Sequence, residues 1–232
     1  MDWDSIIRFD KDMLLLVNGS DSLFIDGLAT TLTTATTWIP LYVALFYLVL
    51  RNSESMKQIL LIVSCAALCV LLAGTVDDTF VKPNVARFRP THDSEIGFCV
   101  DIVDGYRGGR YGFFSAHAAN TFCIAVFFSF LVRNKILTFF LLTWSLLNCW
   151  TRMYLGVHYP GDILCGLLWG GISGLVIYFL YFKINTKMSN GMRFISSQYT
   201  STGYQQIDVD IVINVLILLF IYSIIRACMM MA

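Results

Sequence analysis

"ILTFFLLTWSLLNCWTRMYLGVHYPGD", residues 136–162, runs from an apolar stretch straight into Arg152, His158 and Asp162, with Pro160 and Gly161 between the histidine and the aspartate. Its first part, 136–155, is as long as a helix needs to be to cross a hydrocarbon core of about 30 Å at about 1.5 Å per residue. A membrane span that ends on three ionisable side chains, set around a helix-start signal, demands a chemical reason for their placement. That reason depends on what the rest of the chain brings to the same end.

The whole chain resembles this stretch. Of its 232 residues 57% are hydrophobic and 14% charged, against about 25% charged in soluble domains, and the mean hydropathy is +0.68. The sixteen Lys+Arg cancel the sixteen Asp+Glu, so no basic excess points to nucleic acid. Apolar runs at about 31–50, 57–77, 115–132, 136–155, 162–182 and 209–230 predict an all-α polytopic transmembrane helix bundle, with a five-span core and a sixth, C-terminal span. Residues 1–23 are too charged to span and lack a signal-peptide pattern, so they read as an interfacial segment before the core at 24–183. Residues 184–208 form a polar Ser/Thr/Asn/Gln stretch expected as a flexible linker to the C-terminal helix at 209–232. Without an internal repeat, a repeat-built transporter has no support. Six of the seven cysteines fall inside spans and Cys99 alone lies in a loop, so no disulfide framework follows. Nothing in the sequence fixes an oligomeric state.

Consecutive spans alternate direction, so the link between the second and third spans opens on the same side as the link between the fourth and fifth. The first link carries "KPNVARFRP" (82–90) and enters the third span through "FFSAHAANTF" (113–122); the second is the opening stretch. Lys82, Arg89, Ser115, His117, Arg152, His158 and Asp162 therefore converge on one face. Ser115 is a good N-cap, and the amides that follow it, from Ala116 and His117, form the positive, donor-rich end of a helix that attracts anions. In "HYPGD", Pro160 suits the first helical position and Asp162 the first turn, where a carboxylate can orient the imidazole of His158 and leave its other nitrogen free to attack. Lys82, Arg89 and Arg152 against Asp162 leave an excess of two positive charges, which matches a phosphate monoester dianion.

These residues resemble the motifs of the type 2 phosphatidic acid phosphatases, written K-x6-RP, P-S-G-H and S-R-x5-H-x3-D, which appear here in order as "KPNVARFRP", "FSAH" and "TRMYLGVHYPGD". Phe114, Ala116 and Thr151 stand where that family usually has proline, glycine and serine. The resemblance implies that His158 becomes a phosphohistidine, that Asp162 orients it and that His117 protonates the leaving group. It further implies that Lys82, Arg89, Ser115, Ala116 and Arg152 hold the phosphate, with no metal and no cofactor.

Basic residues beside spans are commonly topology or headgroup determinants, but that reading leaves Ser115, His117, His158 and Asp162 unexplained. Arg87, Arg107 and Arg110 are expected either to touch a lipid headgroup or to solvate the long loop; Asp77 and Asp78 are expected as solvated or paired carboxylates; His92, Asp93 and Glu95 read as a polar loop cluster. Arg51, Lys57, Arg133, Lys135, Lys183, Lys187 and Arg193 fall on the opposite face, so the positive-inside rule puts the site on the extracytoplasmic side of the cell membrane. The expected function is hydrolysis of a membrane lipid phosphate, with undecaprenyl diphosphate as the first choice and lipid A 1- or 4'-phosphate, or lipid-to-lipid phosphotransfer, as alternatives. An anion channel is the non-enzyme rival, and it requires polar groups along span interiors.

Overall fold

The computed structural model describes residues 2–188 and 197–231. These residues form α1 (Trp3–Val17), α2 (Leu23–Thr33), α3 (Ile39–Asn52), α4 (Met56–Val76), the single turn α5 (Lys82–Val85), α6 (Ala116–Val132), α7 (Lys135–Tyr154), α8 (Pro160–Met188) and α9 (Gln206–Met229). Among the described residues β-pairing is limited to two isolated bridges, Phe88 with Tyr111 and Tyr199 with Gln205.

Among the described residues, three helices are long and apolar enough to cross a membrane: Met56–Val85, which runs from α4 through α5, Pro160–Lys187 and Gln206–Met229. The straight first span expected at 31–50 is instead a pair, α2 and Ala35–Asn52, bent by 64°. The cause is local. The hydroxyls of Thr31 and Thr34 bond back to the carbonyls of Gly27 and Thr30 at 2.7 Å each, and Pro40 opens α3, so the helical hydrogen-bond ladder stops at Thr33 and restarts. The other two expected spans are α6, with 17 residues, and the less apolar α7, with 20.

α6 is apolar all round and mostly buried, which marks it as the central helix. α8 lies along it through Gly166, Gly170 and Gly174, spaced four apart. A Cβ at these positions would come within 2.7 Å of the Ser115 carbonyl oxygen, 2.4 Å of that of Ala119 and 2.8 Å of that of Cys123. In lipid, where apolar side chains gain little by leaving their surroundings, small residues let backbones meet closely. The other side of α8 presents Leu164, Leu168, Ile172, Val176 and Phe179, all exposed, as expected of a lipid-facing stripe. This contact sets the N-terminus of α8 beside that of α6, and the Ser115 amide donates to the Asp162 carbonyl at 3.1 Å.

The stretch expected as a flexible linker is ordered at both described ends. Residues 184–188 continue α8, and 197–205 form a tight turn in which Thr200 N donates to Tyr204 O at 2.8 Å. That turn is docked: the Thr202 hydroxyl donates to Val132 O at 2.8 Å and Gln205 N to Asn52 Oδ1 at 2.7 Å. Residues 189–196 lie outside the described part of the chain. α9 then packs on α2 and α3. α1 is an amphipathic helix that lies against α7 and α8.

Candidate active site

The predicted residues come together at one end of the bundle. After α5, Ala86 in the left-handed region (φ 49°) ends the helix, and the chain runs extended through Arg87, Phe88 and Arg89. It is pinned there by Arg89 N to Arg110 O at 3.1 Å and Gly112 N to Arg87 O at 2.9 Å. In extended chain, residues two apart share a side, so Arg87 and Arg89 both reach the start of α8 while Phe88 is turned away and exposed.

Arg89 is buried and its Nη1 lies 3.2 Å from His158 Nε2 and 3.2 Å from the Val157 carbonyl, while its Nε donates to Tyr111 O at 3.2 Å. A guanidinium only donates, so Nε2 carries the lone pair and the imidazole proton sits on Nδ1. That nitrogen faces Asp162 Oδ2 at 3.6 Å and has no hydrogen-bond partner among the described residues. Asp162, fully buried, is thus near the imidazole without bonding to it: Oδ1 accepts from Arg87 Nη1 at 2.8 Å and Oδ2 from Tyr159 N at 3.0 Å. Burial first, then the charges of Arg89, Arg152 and Lys82, hold the His158 imidazole well below its ordinary range, and it is neutral.

Arg152 ends α7, where the helix dipole favours a cation. It is 2% exposed, donates from Nη1 to the Thr33 hydroxyl at 2.6 Å and from Nη2 to the Tyr106 hydroxyl at 3.0 Å, and has no partner for Nε among the described residues. Ser115 caps α6 as expected, its hydroxyl accepting from Ala118 N at 3.4 Å. The amides of Ala116 and His117 have no partner among the described residues. His117 is half-buried within electrostatic reach of Arg152, His158, Arg89 and Lys82.

The charge balance expected from sequence changes. Lys82 is not free: its Nζ lies 2.7 Å from buried Asp77 and 2.6 Å from Asp78. Arg87 is neither a solvated loop residue nor a headgroup contact, being committed to Asp162 and to Asp10 of α1 at 2.6 Å. Among the described residues, Arg89 and Arg152 have no carboxylate within ion-pair distance. Two buried guanidiniums with neutral partners are costly unless a bound anion supplies the counter-charge. The expected excess of two does not survive as a net count, because the Lys82 and Arg87 groups each hold two carboxylates against one cation; what remains is that Arg89 and Arg152 lack carboxylate partners among the described residues. No group of three or more His, Cys, Asp or Glu with metal-holding geometry occurs among the described residues. Beside Arg152 and His117 lies a cavity of about 380 Å³, walled also by Thr30, Thr33, Thr34, Asp104 and Tyr106.

The sequence does not point to Asp10, Thr33 or Tyr106 as site residues, because each meets its arginine across more than forty positions of chain with no motif around it. Arg87 was within reach: it stands two residues before Arg89 in a segment broken by Pro83 and Pro90, where extended chain puts the two on one side.

A family model described as the PAP2 superfamily matches residues 58–186. The lipid A 4'-phosphatase of Bacteroides thetaiotaomicron is 35% identical over 221 residues, 94% of this chain and 96% of the relative. That of Porphyromonas gingivalis is 35% identical over 176 residues, 76% of this chain and 74% of the relative. Among solved structures, Aquifex aeolicus LpxE aligns with a TM-score of 0.56 at 21% identity over 72% of this chain and 92% of its own. A transmembrane PAP2-type phosphatidylglycerolphosphate phosphatase from Bacillus subtilis aligns with a TM-score of 0.57 at 20% identity, over 81% and 90%. At these identities the two structures speak for the fold alone.

Proposed function

The chain belongs to the PAP2 superfamily and is a multi-pass membrane lipid phosphatase, and on that premise we propose that it removes a phosphate monoester from lipid A through a phosphohistidine on His158. The observation that carries the chemistry is the pair of buried guanidiniums, Arg89 and Arg152, with neutral partners only, beside the neutral imidazole of His158 just ahead of α8.

In this reading the substrate phosphate takes the place now filled by His158 in front of Arg89. Arg89 and Arg152 fork onto its oxygens, and the amides of Ala116 and His117 with the Ser115 hydroxyl take the charge that develops in the transition state. Lys82 adds a charge shared with Asp77. His158 Nε2, released from Arg89, attacks phosphorus; the P–O bond to the lipid breaks, and His117, which takes up its proton when the phosphate dianion offsets the neighbouring arginines, gives that proton to the departing oxygen. Water, giving its proton back to His117, then attacks the phosphohistidine, and orthophosphate leaves with His158 neutral again. Asp162 orients the Nδ1–H by closing the 3.6 Å gap. No step calls on a metal.

Undecaprenyl diphosphate, the first choice from sequence, finds no support in the curated relatives, both of which are named lipid A 4'-phosphatases. A hydroxyl acceptor in place of water would make a phosphotransferase of the same site. We read six spans, the five-span core at 24–183 and a site facing the extracytoplasmic side.

Phosphate release by purified protein in detergent with EDTA should be highest on lipid A phosphates in a panel with undecaprenyl diphosphate, phosphatidic acid and phosphatidylglycerophosphate; preference for any of the others would overturn the substrate. The same readout, with an impermeant aryl phosphate offered to intact cells and then to permeabilised ones, tests the orientation: turnover confined to permeabilised cells would reverse it.

A further inference from the structure

We propose that Asp10 of α1 and Arg87 are positioning residues that hold Asp162 against His158, so that the N-terminal helix is part of the active-site framework. The proposal rests on the reading of His158 as nucleophile.

The contacts form a closed ring. Asp162 Oδ1 accepts from Arg87 Nη1 at 2.8 Å, Arg87 Nη2 donates to Asp10 Oδ2 at 2.6 Å, and Asp10 Oδ1 accepts at 2.7 Å from the amide of Gly161, the residue before Asp162. Asp10 is 8% exposed and Asp162 fully buried. The fork of Arg87 is thereby divided between two carboxylates, and each carboxylate also accepts a backbone amide at the start of α8, since Asp162 Oδ2 takes Tyr159 N. The planar guanidinium further stacks 4.0 Å over the Tyr159 ring, whose hydroxyl donates to Asp93 at 2.8 Å. Lys11, next to Asp10, bonds Asp93 at 3.2 Å, so two successive residues of α1 brace the 158–162 segment. A fork of this kind fixes direction as well as charge.

The 3.6 Å gap between Asp162 and His158 gives the ring its function. Hydrogen bonding to Nδ1–H requires Asp162 to move by less than an ångström while keeping its ties to Arg87 and Tyr159, and the ring restricts it to that path. α1 lies outside residues 58–186, the region that matches the family model, so this brace is an addition to the matched core.

The test uses the full chain with Asp10→Asn, Arg87→Lys, Asp162→Asn, His158→Ala and the Asp10→Asn/Asp162→Asn double variant. Steady-state kinetics on an aryl phosphate, vanadate binding and thermal midpoint are read for each. A misplacement on the order of 1 Å costs up to about 100-fold in rate, so Asp10→Asn and Arg87→Lys should each lower kcat by about 10- to 100-fold. KM and vanadate affinity should stay within about threefold, because Arg89 and Arg152 are untouched. The double variant should be no slower than Asp162→Asn alone, since both changes act through one group. Asp12→Asn, exposed on the same helix, should match the parent. Unchanged kcat in Asp10→Asn, or losses that multiply in the double variant, would overturn the positioning role while an inactive His158→Ala keeps the nucleophile. Turnover by His158→Ala would remove the nucleophile, and the positioning role with it.

Discussion

His158 combines two demands that oppose each other in water: it lies among positive charges, yet it must offer a lone pair. Burial and the neighbouring cations meet both by keeping the ring neutral, and the same effect leaves a trace in stability. The ordinary imidazole value is 6.5, and the folded value lies below it. Between the two, the unfolded chain binds a proton that the folded chain refuses. Stability is therefore full above about pH 6.5 and falls as the pH drops beneath it, by up to about 1.4 kcal/mol per pH unit from this group. The thermal midpoint of the parent in detergent should fall between about pH 7 and pH 5, and His158→Gln should flatten that slope. An equal slope in the variant would mean that the folded imidazole titrates normally. The placement of His158, Asp162 and Arg152 was legible in the sequence because it is set locally: a proline at the start of α8, a carboxylate in its first turn, and an arginine in the last turn of α7. The pairing of Lys82 with Asp77 was legible only in part, because spacing brings the two near but does not say which charge remains unpaired.

At the scale of elements, the site exists because α6 and α8 start side by side, and the glycines of α8 set that distance. A Cβ at Gly170 would sit 2.4 Å from the Ala119 carbonyl oxygen, which is backbone and cannot swing aside. Gly170→Leu should therefore push the helices apart and shift Ser115 relative to Asp162. It should cost about 1–3 kcal/mol in overpacking and most of the activity. Gly171→Ala meets only the Phe122 ring at 3.1 Å and should do far less. Thermal midpoints and kcat for the two variants decide this; equal losses would show that the glycine stripe does not set the site. The apolar runs gave the helices and their approximate ends, but a run says nothing about bends. The break between α2 and α3 comes from threonine hydroxyls that bond backwards, an effect invisible to hydropathy, and the turn at 197–205 is ordered by partners on α3 and α6 that its polar composition does not announce.

Over the whole molecule, alternation of spans was enough to bring the K-x6-RP segment, the α6 start and the α8 start to one face, and the structure joins them there through Arg89, Ser115 and Asp162. What alternation does not carry is the contribution of α1, which enters the site from outside the core through Asp10. In the proposed function the bundle holds one reactive nitrogen, with two buried arginines that lack carboxylate partners beside it. The most direct measurement is therefore to mix the protein with lipid A, quench in alkali on the timescale of a single turnover, and map the phosphorylated peptide by mass spectrometry. One phosphoryl group on His158, absent in His158→Ala and accumulating when water attack is slowed in His117→Ala with an aryl phosphate, is the expected result. Turnover with no label on His158, or with the label on another residue, would contradict the phosphohistidine mechanism.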